Sequence, residues 1–225
     1  MSFLQEELSP FVPAAAAEAG PPVPWEDPAL PRLAGFYRTL WEVLRCPGEF
    51  FARIRPGGWA EPLAFGLIAA TLGLLAGIYW HLLLAAAASG PPAEGAGLLD
   101  QGPALALMVL TPALVLLHLF WGSLCLWGGV AFVGVRTPFV PVWRLFCYAQ
   151  ASLAAALLPV LGGPVAGFWM LYLIFRGVKV GWRVSTGRAL GALLLSVLLQ
   201  ALVLAVFLGS LAGLLGLVWL GFLQG

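Results

Sequence analysis

The sequence predicts an all-α polytopic membrane protein, with five transmembrane helices preceded by an amphipathic cytoplasmic helical arm. Three observations carry this expectation. Of 225 residues, 61% are hydrophobic and 9% are charged, against about 25% charged in an ordinary soluble domain, so there is too little polar surface to cover a soluble core. The charges also cluster, and four runs carry none: Pro62–Ser89, Gln101–Val135, Leu145–Phe175 and Ala189–Gly225. Each is longer than the ~20 apolar residues that cross ~30 Å of hydrocarbon. Finally, all eleven Lys and Arg fall on one side of a five-span arrangement.

Residues 1–31 hold seven of the 18 prolines, five acids and no base. Proline fixes φ and cannot donate a backbone hydrogen bond, so this acidic tail is expected to be extended or disordered. It has no basic segment leading into an apolar run and does not read as a signal peptide.

Residues 32–58 read as amphipathic juxtamembrane helices. Phe36, Tyr37, Leu40, Trp41 and Leu44 share one helical face, while Arg38, Glu42 and Arg45 point away. Pro47 breaks the pattern, and a second short piece carries Phe50, Phe51 and Ile54 beside Arg53 and Arg55. Phe36, Trp41, Phe50, Phe51, Arg53 and Arg55 therefore form a candidate interfacial arm, since aromatics opposite arginines suit a helix at the lipid headgroups. Packing of the arm on the cytoplasmic ends of the spans is the alternative, and the two are compatible.

Residues 59–225 hold the spans, at about 62–88, 103–133, 140–161, 164–182 and 188–211. Pro112 predicts a kink or a frayed first turn in the second span. Pro159, Gly162, Gly163 and Pro164 split the next apolar stretch into a two-span hairpin. The final run of 35 apolar residues would make a helix of ~52 Å. A span ending near 211 is expected, with a kink or a short interfacial piece near Gly209, Gly213 and Gly216.

Orientation follows from the bases. Arg32, Arg38, Arg45, Arg53 and Arg55 precede the first span, and Arg136 and Arg144 lie between the second and third. Arg176, Lys179, Arg183 and Arg188 surround the connection from the fourth to the fifth. The positive-inside rule places the N-terminus in the cytoplasm, and five spans place the C-terminus outside. The Arg-, Ala-, Gly-, Leu- and Pro-rich composition is associated with GC-rich genomes and points to a bacterial cytoplasmic (inner) membrane.

Several short motifs occur in order along this frame. They are Trp41-Glu42-Val43-Leu44, Pro47-Gly48-Glu49-Phe50-Phe51, Pro62-Leu63-Ala64-Phe65 and His118. Arg144-Leu145-Phe146-Cys147-Tyr148-Ala149, Leu158-Pro159, Gly162-Gly163 and Trp169 follow, and Gly177-Val178 and Ser185-Thr186-Gly187-Arg188-Ala189 end the series. In their order and spacing they resemble the Yip (Ypt/Rab-interacting protein) domain family in its bacterial form, over roughly residues 36–205. The resemblance implies a five-span helical domain with a cytoplasmic N-terminal region. Eukaryotic relatives are associated with Rab-type GTPases and vesicle traffic, which bacteria lack, so the family implies an architecture and little chemistry. Family members often carry Thr where this chain has Val142 and His where it has Trp182, and no role of those side chains transfers.

The residues themselves point to no enzyme. There is no Ser/His/Asp set, no carboxylate pair, no phosphate-cradling loop and no acid inside any span. Cys46, Cys125 and Cys147 lack metal-ligand spacing, and neither a metal nor another cofactor is expected. After Asp100 the chain has six bases and no acid. Arg144, Tyr148, Arg176, Lys179, Arg183 and Arg188 are the candidate lipid- or partner-contacting residues, with anionic headgroups as the expected partner. Arg144 and Tyr148 stand at i and i+4 and form a candidate polar pair. Arg176 either snorkels to the headgroups or lines a polar cavity. His118 is the candidate intramembrane polar residue, a helix-to-helix hydrogen bonder or a proton carrier. GxxxG spacings at Gly73/Gly77, Gly163/Gly167 and Gly209/Gly213 serve internal packing or a homo-oligomer. No basic-aromatic patch for nucleic acid is present. The functional expectation is a non-enzymatic scaffold or adaptor that organises lipids or a protein partner through the arm. A small lipid or solute transporter is the alternative, favoured if Arg176, His118 and Tyr148 line one polar cavity.

Overall fold

The computed structural model describes residues 22–54, 57–89 and 102–224. Among the described residues there is no strand. The arm comprises α1 (Arg32–Arg45) and α2 (Pro47–Ala52), with Pro47 at the start of α2. The helices that follow are α3 (Ala60–Ser89), α4 (Gly102–Phe132), α5 (Phe139–Ala149), α6 (Gly162–Gly181) and α7 (Thr186–Gln224). Two 3-10 segments, Pro24–Glu26 and Gln150–Leu157, are also present among the described residues.

Five spans were expected. Three helices of the described residues are long and apolar enough to cross a membrane: Ala60–Ala88, Leu105–Phe132 and Thr186–Ser210. The other two fall short for different physical reasons. The 140–161 segment is not one α-helix, because α5 gives way at Gln150 to eight residues of 3-10 helix. This narrower stretch is wedged between two glycines. A Cβ on Gly73 of α3 would stand 2.5 Å from the Leu153 carbonyl oxygen, and one on Gly162 of α6 would stand 2.5 Å from that of Ala155. The 164–182 segment is helical from Gly162 to Gly181 but carries Arg176 and Lys179 in its last turns.

Three further expectations change. Residues 22–31 are ordered on the bundle, with Val23, Pro24 and Trp25 buried; the rest of the expected tail lies outside the described residues. The hairpin turns at Leu158–Leu161, just before the Gly-Gly-Pro motif, with Val160 at φ 64°. Helix α7 runs as one helix from Thr186 to Gln224, without the separate interfacial piece expected near Gly209; α4 carries Pro112 within one helix.

Two indole hydrogen bonds set the register of the central segment against α3. Trp143 donates to the carbonyl of Trp59 at 3.0 Å, and Trp80 donates to that of Leu157 at 3.1 Å. The segment 139–157 therefore runs alongside α3 and in the same direction. Helix α6 returns toward the arm, and α7 packs along α4, where a Cβ on Gly129 would stand 2.4 Å from the carbonyl oxygen of Ala192. Trp59, Trp143 and the arm lie together at one end of the bundle, the arm end.

Candidate functional site

Helix α5 is buried from Val142 to Ala149. Its neighbours α3, α4 and α6 are largely apolar, so a charge on α5 must find its partner locally. Arg144, at 2% exposure, finds it outside the spans. Its Nη2 donates to both carboxylate oxygens of Glu26, at 2.7 and 2.8 Å. Its Nη1 donates to the carbonyl of Gly58 at 2.8 Å. The Tyr148 hydroxyl, one turn further along α5, donates to Glu26 Oε1. Phe50 and Phe65 wall the site, with ring centroids 5.3 and 5.2 Å from that of Tyr148. Charge-assisted hydrogen bonds among apolar rings are stronger than their solvent-exposed equivalents.

The acid is delivered by the Pro24–Glu26 turn. The Trp25 amide donates to Thr39 Oγ1 at 2.9 Å and its indole to the Glu61 carbonyl at 2.7 Å. Arg32 pairs with Glu61 at 2.9 Å and sits 5.4 Å from the Trp25 ring. Gly35 lets α1 approach, since a Cβ there would lie 2.6 Å from the Pro24 carbonyl oxygen. The turn is thereby fixed to both α1 and α3.

The expected arm separates into two faces. Gly35, Thr39 and Val43 are buried, with Phe36 and Leu40 beside them. Leu33, Tyr37 and Trp41 point outward at 69%, 61% and 59% exposure, one turn apart, with the Arg45 guanidinium 4.5 Å from the Trp41 ring. Phe36, Leu40 and Leu44 thus pack against the bundle while Tyr37 and Trp41 face outward, so the five do not form the single face expected. Phe50 and Phe51, expected at the lipid interface, are buried in the bundle instead. They face Tyr148 and Gly177. Arg53 pairs with Glu42 and lies over the Phe50 ring; burial lowers its pKa from the ordinary arginine value. Arg55 lies outside the described residues.

The remaining candidates are dispersed. Arg176 is half-buried against α2, where a Cβ on Gly48 would stand 2.7 Å from its Nη2. Its buried Nε has no hydrogen-bond partner among the described residues. Lys179 is half-buried, and Arg183 and Arg188 are exposed around the α6–α7 turn. His118 is exposed on α4 with its ring 5.5 Å from that of Phe146. A cavity of about 580 Å³ is lined by Trp59 and by apolar side chains of α3, α4 and α5, including Phe120, Phe139 and Trp143. Neither His118, Tyr148 nor Arg176 lines it. The arrangement that would favour transport is therefore not formed in that cavity.

Sequence reasoning paired Arg144 with Tyr148 but missed Glu26, the residue that joins them. The available signal was a lone Trp-Glu pair in a proline-rich tail, set against a C-terminal half without acids. No curated protein and no solved structure matches the chain. The Yip1 domain model matches residues 41–208, a range that contains Arg144 and Tyr148 and excludes Glu26. By this match over well more than half of its length, the chain belongs to the Yip1 domain family.

Proposed function

We propose that the protein is a non-enzymatic membrane adaptor of a bacterial cytoplasmic membrane, whose bundle holds a rigid arm at the inner surface for lipids or a protein partner. One observation carries this reading: α1 is fastened on one face while its opposite face offers the outward Leu33–Tyr37–Trp41 stripe. Arg38 and Arg45 lie beside that stripe and are exposed, which suits anionic headgroups. Five crossings remain the preferred topology. Eleven α-helical and eight 3-10 residues sum to ~33 Å, enough for ~30 Å of hydrocarbon, and the twenty residues of α6 reach ~30 Å. In this five-span reading, the positive-inside rule favours the arm and all eleven bases inside and the C-terminus outside.

Two experiments test the reading. Cys46 is exposed, whereas Cys125 and Cys147 are buried. A membrane-impermeant maleimide should label Cys46 in inside-out vesicles and fail in right-side-out ones; the reverse pattern overturns the orientation. Photoreactive side chains at positions 37 and 41 should give lipid or protein adducts in native membranes, and adducts should fall when Leu33→Asp is added. Reaction with water alone at both positions would remove the adaptor reading.

A further inference from the structure

The site around Glu26 has more donors than a carboxylate uses. Glu26 Oε1 accepts from both Arg144 Nη2 and Tyr148, while Oε2 accepts from Nη2. Arg144 Nε is buried without a hydrogen-bond partner among the described residues, and the residue as a whole is 2% exposed. A planar carboxylate leaves this donor idle. A tetrahedral oxyanion presents further oxygens to the same fork, and arginine receives phosphate as readily as carboxylate. Glu26 is the acid that Arg144 meets among the described residues, and no Asp or Glu follows Asp100 in the chain.

The origin of the acid matters equally. Arg144, Tyr148, Gly57 and Gly58 all lie inside the matched domain, residues 41–208, and Glu26 lies outside it. The domain supplies the receptor, and a separate N-terminal segment supplies the occupant. That segment is a short 3-10 turn between prolines, held by Trp25 and Arg32 rather than by continuous helix. The Glu26 side chain keeps 22% exposure, so the site has an approach. Gly57 leaves room on the other side, since a Cβ there would stand 3.0 Å from Arg144 Nη1.

The geometry points to an oxyanion site of the membrane domain, built from the donors of Arg144 and Tyr148 with Arg144 positioned by the Gly58 carbonyl, that takes a phosphate group and that Glu26 fills in cis. The site accepts a phosphate when Glu26 leaves it. It lies at the arm end, where lipid headgroups are one source of phosphate and the aqueous phase is another. This inference needs no partner on the Leu33–Tyr37–Trp41 stripe, so it stands or falls apart from the adaptor reading.

The test uses the full chain in phosphatidylcholine nanodiscs, titrated with phosphatidylglycerol or with inorganic phosphate and read by mass spectrometry of the intact complex. Glu26→Gln keeps the shape of the turn and removes the competing charge. It should bind phosphatidylglycerol or phosphate about tenfold more tightly than the unaltered chain, because the competent fraction rises. Adding Arg144→Gln should abolish the gain. A gain with phosphatidylglycerol alone assigns the phosphate to a lipid, and a gain with inorganic phosphate assigns it to the aqueous phase. No gain in folded Glu26→Gln, or a gain that survives Arg144→Gln, overturns the proposal. If Glu26→Gln does not fold, hydrogen exchange of the unaltered chain decides. Excess phosphatidylglycerol or phosphate should speed exchange at residues 25–29, and unchanged exchange with both overturns it.

Discussion

Helices α5 and α7 solve opposite problems. α5 is buried from Val142 to Ala149 and carries an arginine and a tyrosine into that interior. α7 is exposed from Ala201 to Ser210 and carries only apolar side chains, glycine and serine there. In a bilayer, lipid tails serve as the solvent for α7, and its exposed leucines need no protein partner. α5 has no such solvent, so each polar group on it needs an internal partner. The difference teaches where specificity resides. α7 can be replaced by other apolar sequence so long as its small residues still meet α4, whereas α5 depends on Glu26, Gly58 and the rings around Tyr148.

The sharpest way to break this contrast is to remove the charge on α5. Arg144→Ala strands Glu26 beside apolar rings and should destabilise the protein by about 3–5 kcal/mol, the cost of breaking a buried pair. Thermal unfolding in detergent, followed by the reaction of Cys125 and Cys147 with a thiol dye, reads the loss. Next comes the seam between α4 and α7. Gly129→Val places a side chain against the Ala192 carbonyl and should cost about 1–3 kcal/mol by overpacking, read by the same assay. Tyr148→Phe removes a single hydrogen bond while keeping the ring contacts, and should cost about 1–2 kcal/mol. At the far end of the scale, Leu204→Ala on the outward face of α7 should stay within about 0.5 kcal/mol. A Leu204→Ala effect as large as that of Tyr148→Phe would mean that this face is covered by protein and not by lipid.

The same contrast explains what was legible in the sequence. The long apolar helices α3, α4 and α7 were readable because uninterrupted hydropathy needs no knowledge of neighbours. Apolar composition marked 140–161 but not its helix type, and the 3-10 stretch packs at Leu153 and Ala155 against Gly73 and Gly162 of other helices. The arm's helices were readable from periodicity, yet the periodicity did not say which aromatics face inward. That choice was made by Thr39, Gly35 and the docked Trp25. Arg144 and Tyr148 stood out as an i, i+4 pair. Their partner was hidden because it lies 118 residues away from Arg144 in a segment whose prolines argued for an extended chain. Long-range pairing of this kind leaves no local pattern in a single sequence.

The account rests most on Glu26 and Arg144 acting as one unit, and a double-mutant cycle measures that directly. Glu26→Gln, Arg144→Gln and the double variant would be compared by equilibrium unfolding in detergent. The account predicts that each single change is costly, that the double variant is little worse than either, and that the coupling is about 2 kcal/mol. Losses that add to within about 0.5 kcal/mol would mean that the two residues do not share an interaction and would contradict it.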